Sequence, residues 1–192
     1  MPKSALRTHA REIRRAIPPD ARAERSDRIR EHVLALPEVA KARGIGCYVS
    51  VRSEVETTFL LRELFVRDVK LAVPVTLGEH LLFAELTHPW SLAPGAHGIP
   101  EPRQPWSELH ADELDVIIVP GLQFGRDGSR LGNGGGHFDR YLAAHPKPLR
   151  VGLAFAAQVV ESVAVKEAHD QGMDVVITEE GRVRTGRPAS VP

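Results

Sequence analysis

The chain has 192 residues, of which 42% are hydrophobic and 26% charged, a composition typical of a globular protein and unlike that of disordered or fibrous chains. A length in this range predicts one domain, with two domains as the alternative. The 25 Lys and Arg residues balance 25 Asp and Glu residues, so the overall charge favours neither a nucleic-acid partner nor an anionic membrane. Any anion-binding site must therefore be local.

Several classes of site are excluded by their missing patterns. The single cysteine, Cys47, cannot form an intrachain disulfide, and its apolar neighbours predict a buried strand rather than a nucleophile. The histidines fit no zinc spacing, and no Gly-x-Ser-x-Gly motif of a serine hydrolase occurs. The first residues do not resemble a signal peptide, and no segment has the ~20 apolar residues of a membrane span. We therefore expect a cytoplasmic protein.

Two helices are predicted at the start of the chain. Leu6 and Ala10 belong to an apolar series at helical spacing that ends before two prolines, which predicts an amphipathic helix over residues 4–17. A second helix is predicted to follow Asp20, with that aspartate as its N-cap.

Beyond Gly44, short apolar runs alternate with helical patterns. The predicted strands cover residues 45–51, 71–75, 81–86, 116–119, 151–155 and 175–178, and the predicted helices cover 57–67 and 136–144. This alternation predicts an α/β fold with an open, mainly parallel sheet covered by helices.

We expect one domain over residues 1–192. It comprises N-terminal helices (1–43), an α/β core (44–185) and a frayed tail (186–192). Residues 88–104 are rich in proline and glycine and predict a long, functional loop.

Seven glycines lie between Pro120 and Asp139, where a predicted strand leads into a predicted helix. Ordering a glycine costs roughly 1 kcal/mol more than ordering an alanine, so such a cluster predicts positive φ angles or close approach to a ligand. Backbone N–H groups in such a turn, together with a helix N-terminus, can bind a phosphate. The segment is neither a Walker A loop nor a Rossmann turn. A flexible loop of small residues is the alternative.

Charged residues flank this turn. Arg130 precedes the glycines and can neutralise phosphate oxygens. Asp139 can either complement the helix N-terminus or bind Mg²⁺ beside the phosphates. The residues alone favour the first interpretation.

An ordered series of short motifs extends over nearly the whole chain. It comprises Lys3-x-x-Leu6-Arg7, Tyr48-x-Ser50, Glu54-x-Glu56-Thr57, Gly98-Ile99-Pro100-Glu101-Pro102, Val119-Pro120-Gly121, Arg130-Leu131-Gly132-x-Gly134-Gly135-Gly136, Asp139-Arg140 and His169-Asp170. The series resembles the 5-formyltetrahydrofolate cyclo-ligase family, whose members are also called 5,10-methenyltetrahydrofolate synthetases. The resemblance implies a monomeric ligase of one-carbon metabolism, with a fold like those of ribose-5-phosphate isomerase and coenzyme A transferases.

The implied reaction converts 5-formyltetrahydrofolate to 5,10-methenyltetrahydrofolate with ATP and Mg²⁺. The formyl oxygen takes the γ-phosphoryl group, N10 closes on the activated carbon, and ADP and phosphate are released. Phosphoryl transfer depends on positioning and charge stabilisation, so it needs cations and a rigid backbone rather than a covalent nucleophile.

The resemblance also implies the site residues. ATP would contact Lys3, Ser4, Ala5, Leu6, Arg7, Arg130, Leu131, Gly132, Asn133, Gly134, Gly135, Gly136, His137 and Phe138, with Lys3 and Arg130 as catalytic cations. Mg²⁺ would be held by Asp139 and Asp170, and folate by Val51 and Glu56, with Glu101 and His97 as further lining residues.

Each assignment has a plainer alternative. Lys3 and Arg7 are four residues apart on one helix face, and with Arg11 and Arg14 they also fit a solvated basic stripe. Glu56 also fits a charge at a helix N-terminus. Asp170 alone would be a turn residue.

The glycine turn departs from the family pattern, which often reads Gly-Tyr-Gly-Gly-Gly-Tyr-Tyr-Asp-Arg. This chain has Asn133, His137 and Phe138 at the aromatic positions, so a tyrosine hydroxyl contact is lost or remade. The alternatives are a paralogue acting on another formyl compound and a non-catalytic nucleotide- or folate-binding module. A nucleic-acid binder using the basic first helix is disfavoured by the balanced charge.

Overall fold

The computed structural model of the protein describes residues 2–67, 69–88, 92–95, 98–183 and 185. Its helices are α1 (Lys3–Arg15), α2 (Pro19–Leu34), α3 (Pro37–Ala40), α4 (Thr58–Val66) and α5 (His137–Ala144). Its strands are β1 (Gly44–Cys47), β2 (Lys70–Leu77), β3 (His80–Glu85), β4 (Leu92–Pro94), β5 (Pro100–Pro102), β6 (Val116–Val119), β7 (Gln123–Gly125), β8 (Arg130–Leu131), β9 (Leu149–Leu153), β10 (Val159–Val160), β11 (Val175–Thr178) and β12 (Gly181–Val183).

A seven-stranded sheet in the order β12-β11-β9-β6-β1-β2-β3 forms the centre of the molecule. The five inner strands are parallel, and β12 and β3 pair antiparallel at the two edges. Inner strands such as Val116–Val119 are buried along their whole length, because helices cover both faces. The predicted α/β class with a mainly parallel sheet is confirmed.

The two faces of the sheet carry separate apolar cores. Alternate residues of β6 point to opposite faces, so Ile118 packs with α2, α3 and α4, whereas Ile117 packs with α5. The helix α1 lies apart from both cores. Its Leu6 and Ala10 pack against Leu131, within a small cluster next to β7 and β8.

The predicted helices and strands agree with the structure where the apolar pattern extends over many residues. The second helix is the exception at its start: Asp20 is not its N-cap, because α2 begins at Pro19, where the missing N–H costs no hydrogen bond. The first strand ends at Cys47, earlier than predicted. The loop 88–104 contains the hairpin of β4 and β5. The tail 186–192 lies outside the described residues, and the division into one domain stays a prediction.

Within the described ranges, no helix combines the length and the apolar character that crossing a membrane requires.

We expect Phe83→Ala to reduce the free energy of unfolding by roughly 3–5 kcal/mol, because it removes a fully buried ring. The Phe83 ring lies 5.1 Å from that of Tyr141 on α5, so its loss leaves a cavity between sheet and helix. Urea denaturation measures the change. Phe59→Ala is the control, since that ring is 50% exposed. Equal losses in the two variants would contradict the assigned core.

Candidate active site

A cavity of about 540 Å³ opens at the carboxyl ends of β1 and β6. The two strands are neighbours, but the chain leaves β1 toward β2 and leaves β6 toward β9, in opposite directions across the sheet. In open α/β sheets, such a reversal leaves a crevice in which ligands bind. Tyr48 and Val49, which follow β1, and Pro120, which follows β6, line the cavity.

The basic face of α1 forms one wall of this cavity. Lys3, Arg7, Arg11 and Arg14 all line it, because their spacing of three and four residues places them on one side of the helix. Arg7 Nε donates to the carbonyl oxygen of Gly132 at 3.2 Å, and Arg11 Nη2 donates to that of Asn133 at 3.0 Å. The face therefore contacts the glycine turn, and the solvated-stripe interpretation is wrong.

The glycine turn (residues 132–136) has a fixed backbone that needs glycine at two positions. Gly134 has a φ of 115° and Gly136 a φ of 68°, a region that side chains with a Cβ rarely adopt. Gly136 is also the N-cap residue of α5. With two arginines bound to its carbonyl oxygens, the turn is a defined wall of the cavity. The flexible-loop alternative is therefore disfavoured.

A buried ion pair joins Arg130 to Asp139. Arg130 Nη2 donates to Asp139 Oδ1 at 2.7 Å, and Nη1 donates to the carbonyl oxygen of Pro120 at 3.0 Å. Asp139 also accepts the Gln171 backbone N–H at 3.0 Å. Asp139 lies in the first turn of α5, where its charge is favourable, and its carboxylate is directed to Arg130 and the Gln171 amide.

A second ion pair joins Lys3 to the loop 161–174, which connects β10 to β11. Lys3 Nζ lies 2.8 Å from both carboxylate oxygens of Asp170 and 2.9 Å from Glu167 Oε2. Burial alone lowers the pKa of Lys3, but the hydrogen bonds to Asp170 and Glu167 raise it above its usual value. Burial raises the pKa of Asp170, yet the hydrogen bonds from Lys3 and the Glu167 amide hold it below its usual value.

Three side chains of this loop could together hold a divalent cation. One ligand atom each from Glu167, His169 and Asp170 lies within 4.8 Å of the others. Carboxylate oxygens are the donors that Mg²⁺ prefers, and the Lys3 ammonium between two of them shows that the geometry accepts a positive charge. Asp139 reaches the same loop through the Gln171 amide. Glu167 was not predicted as a site residue.

The cavity wall also contains a buried glutamate, Glu54. Glu54 accepts the Val51 backbone N–H at 3.1 Å and lies 3.7 Å from Arg14 Nη1, while Arg14 Nε donates to Ser53 Oγ at 3.1 Å. Burial raises the pKa of Glu54, although these contacts and the Asn133 side chain partly oppose the rise. The carboxylate therefore ties α1, the loop after β1 and the glycine turn together.

A sequence model of the 5-formyltetrahydrofolate cyclo-ligase family matches residues 1–179. The chain belongs to this family. A 5-formyltetrahydrofolate cyclo-ligase of Escherichia coli K12 is 32% identical over 82% of this chain and 90% of the relative, and that of the mouse is 28% identical over 93% and 94%. The family resemblance and the enzyme class, a ligase of folate metabolism, are confirmed.

Solved structures agree with the family assignment. The 5,10-methenyltetrahydrofolate synthetase of Aquifex aeolicus matches with a TM-score of 0.86 and 31% identity, covering 100% of this chain and 97% of the other. The synthetase of Mycoplasma pneumoniae matches with a TM-score of 0.75 over 93% and 99% of the two chains. At 21% identity, the second likeness shows the fold alone.

Most of the residues that the cyclo-ligase family implies lie around the cavity. Those that line it are Lys3, Arg7, Val51, Arg130, Gly132, Asn133, Gly134, Gly135, Gly136, His137, Phe138, Asp139 and Asp170, together with Glu101. Five others do not line it. Leu6 and Leu131 pack in the apolar cluster beneath α1, Ser4 and Glu56 are exposed, and Ala5 is half-buried. His97 lies outside the described residues.

Sequence reasoning missed Glu54 for a specific reason. The motif containing Glu54 and Glu56 was recognised, but the spacing could not tell which carboxylate faces inward. Glu56 is exposed, with its backbone N–H donating to Ser26 Oγ at 3.0 Å, whereas Glu54 is buried.

In this cyclo-ligase family member, the Lys3 and Asp170 pair makes stability depend on pH. Because the pKa of Asp170 is depressed, its contribution is present above about pH 4, the value near which a free Asp titrates, and is lost as pH falls through the lower folded pKa. We expect Asp170→Asn to be less stable than the wild type at pH 7. The difference in stability between the variant and the wild type should decrease as the pH is lowered, as measured by thermal unfolding between pH 7 and pH 3. A difference in stability that increases as the pH falls would contradict the ion pair between Lys3 and Asp170.

Proposed function

We propose that the protein is an ATP- and Mg²⁺-dependent 5-formyltetrahydrofolate cyclo-ligase. It transfers the γ-phosphoryl group of ATP to the formyl oxygen, after which N10 attacks the activated carbon and phosphate leaves, giving 5,10-methenyltetrahydrofolate and ADP. The observation that carries this proposal is the convergence of a glycine turn, three basic side chains and two aspartates on one cavity. Lys3, Arg7 and Arg130 supply the positive charge, and Asp139 and Asp170 the metal ligands.

The phosphate end of the proposed site lies between α1 and the glycine turn. ATP phosphates placed there meet backbone N–H groups, the N-terminus of α5, and the cations Lys3, Arg7 and Arg130. Lys3 and Arg130 now neutralise the two aspartates, so their positions beside the proposed metal ligands are already fixed. Bound Mg²⁺ would neutralise developing phosphate charge. Asp139 and Asp170 would hold it.

The folate end of the proposed site lies toward the loop after β1 and the hairpin of β4 and β5. Val51, Ile99 and the half-buried Phe138 offer apolar surface for the ring system. Carboxylates at this end can accept pterin N–H groups. Glu54 and Glu101 line the cavity, whereas Glu56 is exposed and does not line it.

A second candidate, an enzyme acting on another formyl compound, is favoured by the residues at the aromatic positions of the turn. His137 Nδ1 lies 3.3 Å from the Glu79 carbonyl oxygen on the β2–β3 turn, and the Asn133 side chain interacts with Glu54. Neither offers a tyrosine hydroxyl to a ligand. A non-catalytic module is less consistent with the retained cations and aspartates. A cytoplasmic monomer without a nucleic-acid or membrane partner stays a prediction.

The test is the appearance of the methenyl chromophore by absorbance. Purified protein is incubated with 5-formyltetrahydrofolate, ATP and Mg²⁺, and each component is omitted in turn. We expect a rise only when all three are present. A rise without ATP would contradict the phosphorylated intermediate, and no rise despite ATP binding would favour another formyl compound.

A further inference from the structure

The carboxylate of Asp127, which does not line the cavity, accepts hydrogen bonds from four donors. Asp127 lies in the turn between β7 and β8, three residues before Arg130. Its Oδ1 accepts the Ser129 backbone N–H at 3.0 Å and the Ser129 hydroxyl, and its Oδ2 accepts the Ser162 hydroxyl at 2.8 Å and the Lys166 ammonium. Two of these donors belong to the distant loop 161–174.

That loop carries two of the acidic residues that line the cavity, Glu167 and Asp170, but contains no helix or strand. Near both of its ends, the loop is hydrogen-bonded to the turn that contains Asp127. Val163 N–H donates to Ser129 Oγ at 2.9 Å near the start, and Met173 N–H donates to the Gly128 carbonyl oxygen at 2.7 Å near the end. Lys166 immediately precedes Glu167, so holding Lys166 also restricts where the acidic residues can lie.

The charge on Asp127 is secured by the same contacts. Burial raises its pKa, but hydrogen bonds from Lys166, Ser129 and Ser162 outweigh burial and hold it well below its usual range. The carboxylate is therefore ionised throughout the neutral range and can accept all four hydrogen bonds. Its side chain is 37% exposed and does not line the cavity, so it cannot contact the ligand directly.

We infer that Asp127 is a positioning residue: its carboxylate holds the loop 161–174 so that Glu167 and Asp170 face Lys3 and the metal-binding end of the cavity. The inference rests on the proposed function, because it assigns Asp127 to the Mg²⁺ and ATP end of that site. Residues that orient metal ligands through a second layer of hydrogen bonds typically change metal affinity by 10- to 100-fold when they are removed.

The test compares Asp127→Ala with Asp115→Ala in the full chain. Asp115 is the matched control, because it also accepts a backbone N–H, pairs with an arginine and is 35% exposed, yet it lies outside the cavity lining. For Asp127→Ala we expect an increase of about 10-fold both in the Mg²⁺ concentration for half-maximal activity and in the KM for ATP. The KM for folate and kcat should change less than two-fold, roughly the scatter between independent sites.

A binding measurement separates this inference from the reaction itself. Mn²⁺ binding, in the presence of a non-hydrolysable ATP analogue, should weaken about 10-fold in Asp127→Ala and stay unchanged in Asp115→Ala. Lys166→Met, which removes one of the four donors to Asp127, should reproduce part of the loss, and the double variant should bind Mn²⁺ no more weakly than Asp127→Ala alone, because Lys166 acts through Asp127. Lys166→Met also serves if Asp127→Ala does not fold.

The outcomes are distinguishable. If both aspartate variants lower the melting temperature but leave Mn²⁺ and ATP binding unchanged, Asp127 is only structural and the inference is wrong. If the wild type forms no methenyl product while Asp127→Ala still weakens Mn²⁺ binding, the proposed function fails and the positioning role stands.

Discussion

Arg130→Ala should lower kcat/KM for ATP by about 10²- to 10³-fold, the usual effect of removing one preorganised donor from a charged transition state. Its guanidinium lines the cavity beside the glycine turn, with Nη1 and Nη2 already fixed by Pro120 and Asp139. Its buried Nε has no hydrogen-bond partner within the described ranges. Steady-state kinetics with varied ATP measure the effect.

The control for Arg130→Ala is Arg126→Ala. Arg126 lies four residues earlier, pairs with the exposed Glu161 at 3.3 Å and is itself 55% exposed. It should change kcat/KM less than two-fold, because it does not line the cavity and exposed pairs contribute little. Breaking the buried pair also costs stability, so both variants need melting curves. Unchanged kinetics in a folded Arg130→Ala variant would contradict its assignment.

Arg130→Lys distinguishes charge from geometry. A lysine keeps the positive charge but cannot donate along two fixed directions to Pro120 and Asp139. We expect it to recover part of the lost kcat/KM and most of the stability. Full recovery of kcat/KM would show that only charge matters at this position.

Lys3→Met should lower kcat/KM for ATP by about 10²-fold, since it removes a second cation from the phosphate end of the proposed site. Its ammonium contacts Asp170 and Glu167, and its side chain is only 10% exposed. The KM for folate should change little, because the proposed folate residues lie toward the loop after β1. Kinetics with each substrate varied in turn measure the difference.

Lys70→Met is the matched control for Lys3→Met. Lys70 also makes an ion pair with an Nζ to carboxylate distance of 2.8 Å, but with Glu113, outside the cavity lining. It should leave both KM values unchanged. If Lys3→Met raises the two KM values equally, Lys3 supports the whole cavity rather than the phosphate end.

The parts of the fold that the sequence predicted correctly are those with a long or fully apolar pattern. The buried run 116–119 is β6 with the predicted bounds, and α1 matches its helical series within two residues at each end. The short elements α3, β7, β8, β10 and β12 have two to four residues each, too few to show a period. Their positions depend on tertiary contacts.

The site was predictable only where a motif contained it. The glycine turn and the first helix were recognised from local residues, but their partners are distant in sequence. Lys3 and Asp170 are 167 residues apart, and Ser162 is 35 residues from Asp127. The sequence also could not show whether Glu54 or Glu56 faces the cavity. The two side chains are chemically identical, and only the fold buries Glu54 and leaves Glu56 exposed.

The attachment of α1 has a consequence for the dynamics of the protein. Its apolar contacts are limited to a small cluster around Leu6 and Ala10, whereas its basic face is a wall of the cavity. A helix with few apolar contacts opens locally at low free energy, and each opening removes that wall. A bound anion that contacts Lys3 and Arg7 stabilises only the docked helix, so amide hydrogen exchange in α1 should slow as the anion concentration rises. Anion binding in the cavity and local opening of α1 therefore compete, because the anion binds only when the helix is docked.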